Sequence, residues 1–300
     1  MAADPIARGV ALVEERPDRL LSVVGPTATG KTDLAIAIAE RVNGEIVSAD
    51  SVQIYRGFDI GSGKPTPAER ARARHHLIDA LDPLELVDAA SFAKLAEKAL
   101  ADIRARGKVP ILCGGTFFWV RSLVLGLVDA PAGDAEIRAR HRLFVEEHGR
   151  QALHGELAAK DPETASRLHP NDVVRVSRAL EVLELSGRTM SSFQSEHGFR
   201  AKKMDHTFIA LAHEPDVLTE RIAKRVDRFL ADGFIDEVKG LLDRGYGEAR
   251  AMGSVGYAEV RSFLAGELPG AELRDTIVRS TRVFARRQRT WLKHAQIEWL

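Results

Sequence analysis

Short apolar runs and helical stripes alternate along the first 125 residues. Leu20-Leu21-Ser22-Val23-Val24 is an apolar run of strand length, and 31–42 carries Leu34, Ile36, Ala37 and Ile38 at helical spacing before Gly44. The run 45–48 predicts a second strand, and polar and glycine-rich residues then continue to Pro67 as a loop. A short strand is expected within 75–79, and a helix over 91–106 burying Phe92, Leu95 and Leu100. A strand is expected over 109–113, and a helix opened by Gly114-Gly115-Thr116 and running to about 125. Strand–helix alternation of this kind predicts a mostly parallel sheet with helices on both faces.

The rhythm changes at Ala130-Pro131-Ala132-Gly133-Asp134. Helical segments are expected over 135–148, 151–160, 162–168 and 171–186, with 188–205 as loop. The apolar 207–211 predicts a strand returning to the sheet, followed by a helical tail to 300. The expected organisation is a lead-in, 1–19, read as frayed; the first part of an α/β core, 20–130; an all-helical insertion, 131–205; and 206–300 completing the core.

Chemistry enters between the first strand and its helix. Gly25-Pro26-Thr27-Ala28-Thr29-Gly30-Lys31-Thr32 fits G-x-x-x-x-G-K-[ST], the phosphate-cradling P-loop. Glycines let successive backbone amides curl around an anion, and the helix from Lys31 adds the positive end of its dipole. Lys31 can reach terminal phosphate oxygens, and the Thr32 hydroxyl can hold Mg²⁺. Asp50 follows the second strand, where ligands of open parallel sheets bind, although a loop-capping aspartate reads the same way. The strand 109–113 ends in Cys113-Gly114-Gly115-Thr116 rather than a metal-binding aspartate, which argues against a nucleotide hydrolase. The two glycines suggest close approach of a ligand to the backbone.

Charge refines this picture. Lys+Arg and Asp+Glu are 43 each, so binding to a polyanion must come from local clusters. Arg279, Arg282, Arg286, Arg289 and Lys293 fall on one helical stripe; Arg221, Arg225 and Arg228 form another cluster, and Arg175 and Arg178 a third. The sole cysteine, Cys113, suits a reducing cytoplasm and reads as a buried thiol. His75-His76 lacks zinc-ligand spacing, and no apolar run approaches a membrane span. From the residues alone, a P-loop small-molecule kinase and a phosphate-ester transferase are both open.

The P-loop, Asp50-Ser51-Val52-Gln53-Ile54-Tyr55-Arg56-Gly57-Phe58-Asp59-Ile60-Gly61, His76-Leu77-Ile78-Asp79 and Gly114-Gly115-Thr116 together resemble the bacterial tRNA dimethylallyltransferase family. The likeness continues through Asn171-Asp172, Arg178-Ala179-Leu180-Glu181-Val182, Val255-Gly256-Tyr257 and Arg286-Arg287-Gln288-Arg289-Thr290-Trp291, covering about 20–300. The resemblance implies transfer of a dimethylallyl group from dimethylallyl diphosphate to N6 of the adenosine 3′ of the anticodon (position 37), with Mg²⁺, and an insertion that grips the tRNA anticodon stem-loop. It further implies Asp50 as general base, and Lys31, Thr27 and either Arg221 or Arg225 as stabilisers of the departing diphosphate. The expected diphosphate cradle is Gly25, Pro26, Thr27, Ala28, Thr29, Gly30, Lys31 and Thr32, with Thr32 at the metal. Expected tRNA contacts are Asp50, Ser51, Val52, Gln53, Thr116, Arg138, Val174, Arg175, Val176, Ser177 and Arg178; the basic stripe adds Arg282 and Arg286. An adenylate isopentenyltransferase remains the neighbouring alternative, disfavoured because a mononucleotide needs no helical insertion. A cytoplasmic monomer without membrane association is expected.

Three departures stand out. Phe117-Phe118-Trp119 replaces the family's usual Gly-Leu-Tyr, which suggests a reshaped prenyl channel. Arg286 stands where lysine is common. Ser62-Gly63 stands where Thr-Ala is usual.

Overall fold

The computed structural model describes residues 4–197, 203–293 and 295–300. Contacts divide the chain into two compact units: residues up to Val124 with Met204–Leu300, and Leu125–Lys203.

The first unit opens with α1 (Pro5–Glu15), β1 (Leu20–Val24), α2 (Lys31–Arg41), β2 (Gly44–Ser48), α3 (Pro67–Arg72) and β3 (His75–His76). It continues with α4 (Ala89–Ala105), β4 (Val109–Gly114) and α5 (Phe117–Leu125). The second unit is helical among its described residues: α6 (Ala135–His148), α7 (Arg150–Lys160), α8 (Pro162–Arg167), α9 (Val173–Ser186) and α10 (Met190–His197). The chain returns through β5 (His206–Ala210), α11 (Pro215–Ala231), α12 (Phe234–Asp243), α13 (Tyr257–Leu264), α14 (Gly270–Leu292) and β6 (Ile297–Trp299).

The strands form one sheet in the order β3-β2-β4-β1-β5-β6, every pairing parallel. β1 is buried at all five positions, as a central strand covered on both faces must be. Leu21, Val23, Ile36, Ile38, Ile46, Ile111 and Ile209 meet in one core around this sheet. The second unit has its own core, centred on Leu153, Leu157, Val176 and Leu180.

Three expectations are corrected. Within the expected lead-in, residues 1–3 lie outside the described residues, and 5–15 form a helix rather than a frayed segment. Asp4 caps it by accepting from the Ile6 amide at 3.1 Å, Pro5 starts it, and Val13 is buried in the sheet core. Within 188–205, Met190–His197 is helical, and the Ser191 amide donates to the buried Asp161 at 3.1 Å; residues 198–202 lie outside the described residues. The tail ends not in helix but in β6, which extends the sheet beside β5; Glu298 on it pairs with Arg8 of α1 at 2.6 Å.

Candidate functional site

The loop between β1 and α2 departs sharply from ordinary backbone. Gly25, Ala28 and Gly30 have φ of +154°, +65° and +89°. Its carbonyls are tied down from several sides. The Thr29 hydroxyl and the Lys31 ammonium donate to Pro26 O at 3.0 and 3.3 Å, Arg221 Nε donates to Ala28 O at 2.7 Å, and His213 Nε2 lies 2.8 Å from Thr29 O. With the carbonyls engaged and the first turn of α2 beginning at Lys31, the unpaired amides there form an anion cradle.

A cavity of about 350 Å³ adjoins this cradle. Thr27, Lys31 and Thr32 line one side, and Asp50, Ser51, Val52, Gln53 and Thr116 another. Asp50 Oδ1 accepts from the Val52 and Gln53 amides at 2.9 and 3.2 Å, so the loop-capping role is real and coexists with a place in the cavity. Thr116 Oγ1 accepts from the Ser51 amide at 3.1 Å and fastens this segment to the start of α5. Gln53 Nε2 donates to the carbonyls of Ser62 and Gly63 at 3.2 and 3.1 Å, closing the long loop back on itself.

That loop is held by two polar anchors, of which Lys64 is buried and Glu237 half-buried. Glu237 accepts the amides of Asp59, Ile60 and Gly61 at 3.0, 2.6 and 3.2 Å and the Tyr257 hydroxyl at 2.6 Å. Burial, with Glu237 beside it, pushes the Tyr257 phenol well above its ordinary value, so it stays a donor. Lys64 donates to Tyr55 O at 2.6 Å and to Asp59 and Asp79 at 2.7 and 2.5 Å. No local pattern signals Glu237, which lies about 180 positions from the loop it holds, whereas Tyr257 falls within the Val255-Gly256-Tyr257 likeness.

The cations at the cavity are desolvated. Burial lowers the Lys31 ammonium below its ordinary value, with Arg225 adding to the effect and Asp50 opposing it. Burial likewise lowers Arg225, with Arg228 adding and Asp50 opposing. Cations depressed in this way gain most from a polyanion that restores their favoured charge. Arg225 lines both the cavity and an outer cleft beyond the P-loop, whereas Arg221 lines the outer cleft alone and binds loop backbone. Arg225 Nη2 donates to Ser62 O at 3.2 Å. Gly63, at φ +62°, leaves that room: a Cβ there would stand 1.9 Å from Arg225 Nη2. The Ser62-Gly63 departure therefore has a physical use.

Among the described residues no group of three or more His, Cys, Asp and Glu side chains is placed to hold a metal ion. The Thr32 hydroxyl and the Asp50 carboxylate are hard oxygen donors in the cavity, a set suited to Mg²⁺ shared with phosphate oxygens rather than caged by protein. Cys113 also lines the cavity, but burial pushes its thiol up to about 12, so it stays protonated and unreactive.

Several expected site residues lie elsewhere. None of Phe117, Phe118 and Trp119 lines the cavity: Phe117 packs edge-on against Phe208 at 5.4 Å, Trp119 stacks on Phe92 at 4.6 Å, and Phe118 is exposed beside Trp291. The apolar wall comes instead from Val226, Phe229, Phe234, Val255, Ile277 and Phe284. Val226 and Phe229 lie on α11, Phe234 on α12, and Ile277 and Phe284 on α14, so the wall is assembled from helices whose meeting no local pattern signals. Gly114 and Gly115 admit the protein's own groups, since a Cβ would stand 2.2 Å from Ala49 O and 2.6 Å from Gln288 Nε2 respectively. Arg282 and Arg286 lie on the exposed face of α14, away from its buried Ile277, Ala285 and Gln288, and neither lines the cavity.

In the second unit Glu181 is wholly buried and gathers Arg138 Nε at 2.8 Å, Arg178 Nη1 at 2.5 Å and the Asp134 amide at 2.6 Å. Val174 and Arg175 are exposed, the latter paired with Asp172 at 3.3 Å. Val176 is completely buried and Ser177 nearly so, bonded to His141 at 2.8 Å. Those two positions pack the unit and offer no surface to a ligand, because the one-turn periodicity of α9 turns them inward.

A family model for IPP transferase matches residues 53–295. The tRNA dimethylallyltransferase of Sorangium cellulosum (strain So ce56) is 61% identical over 284 residues, covering 95% of this chain and 90% of that protein. The full-length tRNA isopentenylpyrophosphate transferase of Bacillus halodurans superposes with a TM-score of 0.69 at 38% identity, covering 94% of this chain and 89% of the other. A eukaryotic dimethylallyltransferase acting on tRNA superposes with a TM-score of 0.78 at 29% identity, covering 92% and 70%.

Proposed function

The chain belongs to the IPP transferase family, and from that premise we propose that it transfers the dimethylallyl group of dimethylallyl diphosphate to N6 of the tRNA adenosine 3′-adjacent to the anticodon, position 37. The observation that carries this reading is the cavity where the Asp50 carboxylate, Lys31 and Arg225 meet beside a phosphate cradle. A hydrolase would need to position water; a prenyl transferase needs a base, an apolar wall and a sink for departing charge, and all three line this space.

The donor's diphosphate rests on the loop from Gly25 to Thr32, with Lys31 and Arg225 against its oxygens and the Thr27 hydroxyl beside them. Thr32 would hold Mg²⁺, which would supply charge neutralisation for the diphosphate. The dimethylallyl tail lies against Phe229, Phe234 and Phe284. The adenosine leaves its stack to enter beside Asp50–Gln53. Its exocyclic amine is a weak nucleophile because the lone pair is delocalised into the ring. Asp50 orients that amine and takes its proton as the new C–N bond forms and the allylic C–O bond breaks. Loop amides and cations then stabilise the released diphosphate.

The outer cleft, bordered by Arg221, Lys224, Arg225 and Arg228, gives the donor a cationic approach to the P-loop. Arg138, Arg175 and Arg178 of the helical unit, with Arg282 and Arg286 of α14, serve as contacts to the RNA backbone. We take the chain to act as a monomer, and we place the reaction in the cytoplasm on the strength of its substrate and its single buried cysteine. No helix among the described residues is long and apolar enough to cross a membrane.

Incubation with dimethylallyl diphosphate, Mg²⁺ and unmodified tRNA, followed by nucleoside mass spectrometry, tests the reading. N6-isopentenyladenosine is the expected product. Faster turnover on AMP than on an anticodon stem-loop would move the assignment to an adenylate isopentenyltransferase, and ATP-dependent phosphoryl transfer would move it to a kinase.

A further inference from the structure

Gln288 joins two loops that are far apart in sequence. Its side chain is buried in α14, with Oε1 accepting the Thr27 amide at 2.9 Å and Nε2 donating to Gly115 O at 3.0 Å. Thr27 is the third residue of the phosphate cradle and lines the cavity; Gly115 follows the last residue of β4. The fit is close, because a Cβ on Gly115 would stand 2.6 Å from Nε2. Ile277, Thr281, Phe284 and Gln288 recur at spacings of four, three and four and all line the cavity, so the helix stripe that walls it ends in this amide.

We propose that Gln288 is a positioning residue for the diphosphate site. It acts through Thr27, holding the front of the phosphate loop against the end of β4, so that the donor's diphosphate meets a cradle already shaped for it. The inference rests on the prenyl-transfer reading and adds to it a residue that acts through the phosphate loop. The task needs an acceptor and a donor on one short planar group. A primary amide supplies both, an ionised carboxylate sets an acceptor against Gly115 O, and a hydrocarbon leaves the Thr27 amide and the Gly115 carbonyl unpaired.

The bridge can be broken from either end. Gln288→Met keeps the side-chain length and removes both bonds, while Gly115→Ala expels the intact amide by collision. Each variant should raise KM for dimethylallyl diphosphate, and the calorimetric Kd for inorganic diphosphate, about ten-fold. Affinity for the anticodon stem-loop should stay within about two-fold in each. In a Gln288→Ala background, Gly115→Ala should add nothing, because the group it displaces is gone; two independent packing defects would add instead. Unchanged diphosphate affinity in both single variants overturns the proposal, as does equal loss of diphosphate and RNA binding. Diphosphate calorimetry reads the bridge even if tRNA is not prenylated, so the two ideas fail separately. Should Gln288→Met not fold, Gly115→Ala carries the same measurement.

Discussion

The sharpest test of the mechanism separates two duties that Asp50 performs at once. One oxygen, Oδ1, holds the following turn by accepting the amides of Val52 and Gln53 at 2.9 and 3.2 Å. The base function needs a carboxylate that can accept a proton. Asp50→Asn preserves an acceptor oxygen for the turn and removes the basicity. Asp50→Ala removes both. Loss of a general base costs about 10²- to 10⁴-fold, which corresponds to about 2.7–5.4 kcal/mol in the barrier. Loss of the two turn bonds costs a further ~1–2 kcal/mol of stability, as for an N-cap. The asparagine variant should therefore melt close to the unsubstituted chain yet react about two to four orders of magnitude more slowly. The alanine variant should be as slow and also less stable. Single-turnover prenylation of an anticodon stem-loop at saturating donor measures the first effect, and calorimetric melting the second. A Asp50→Asn rate within about ten-fold of the unsubstituted chain would remove Asp50 from proton transfer and leave it a turn cap.

Arg225→Ala should weaken dimethylallyl diphosphate binding by at least about ten-fold more than Arg221→Ala, because a half-buried cation interacts more strongly with phosphate than one at the cleft rim; equal effects in isothermal titration would refute that ordering. Glu181→Ala leaves the Asp134 amide and the partly exposed Arg138 and Arg178 without their shared acceptor and should destabilise the helical unit by about 1–3 kcal/mol, read as a loss of melting temperature. Acid stability should depend on Glu45, whose carboxyl Arg106 and His76 hold down at about 2 from an ordinary 4.5. Its contribution is complete above the ordinary carboxylate range and disappears as pH falls through about 2, because the unfolded chain takes up the proton first. Arg106→Ala should shift acid unfolding, followed by circular dichroism against pH, to higher pH; an unchanged midpoint would show the pair to be energetically silent.

Local chemistry accounts for what the amino-acid order determined unaided. The P-loop spacing, the apolar runs of β1, β2, β4 and β5, and the break near residue 130 each depend on neighbours within a few positions, and the parallel α/β core with a helical unit followed from them. The Asp4-Pro5 helix start was equally local and went unread. Other features depend on partners that chain topology brings together. Pairing with β5 makes 297–299 a strand, although three residues carry too little periodicity to signal one. Burial against Leu153 and Leu180 removes Val176 from the surface, and packing against Phe92 and Phe208 takes Trp119 and Phe117 away from the cavity they seemed to reshape. Glu237, Tyr257 and Gln288 reach the site across about 180, 200 and 260 positions, and no local pattern encodes an interaction of that span. The identity of the chemistry was thus written in short motifs, whereas the positioning of its parts was decided by long-range hydrogen bonds and packing that exist only once the sheet has assembled.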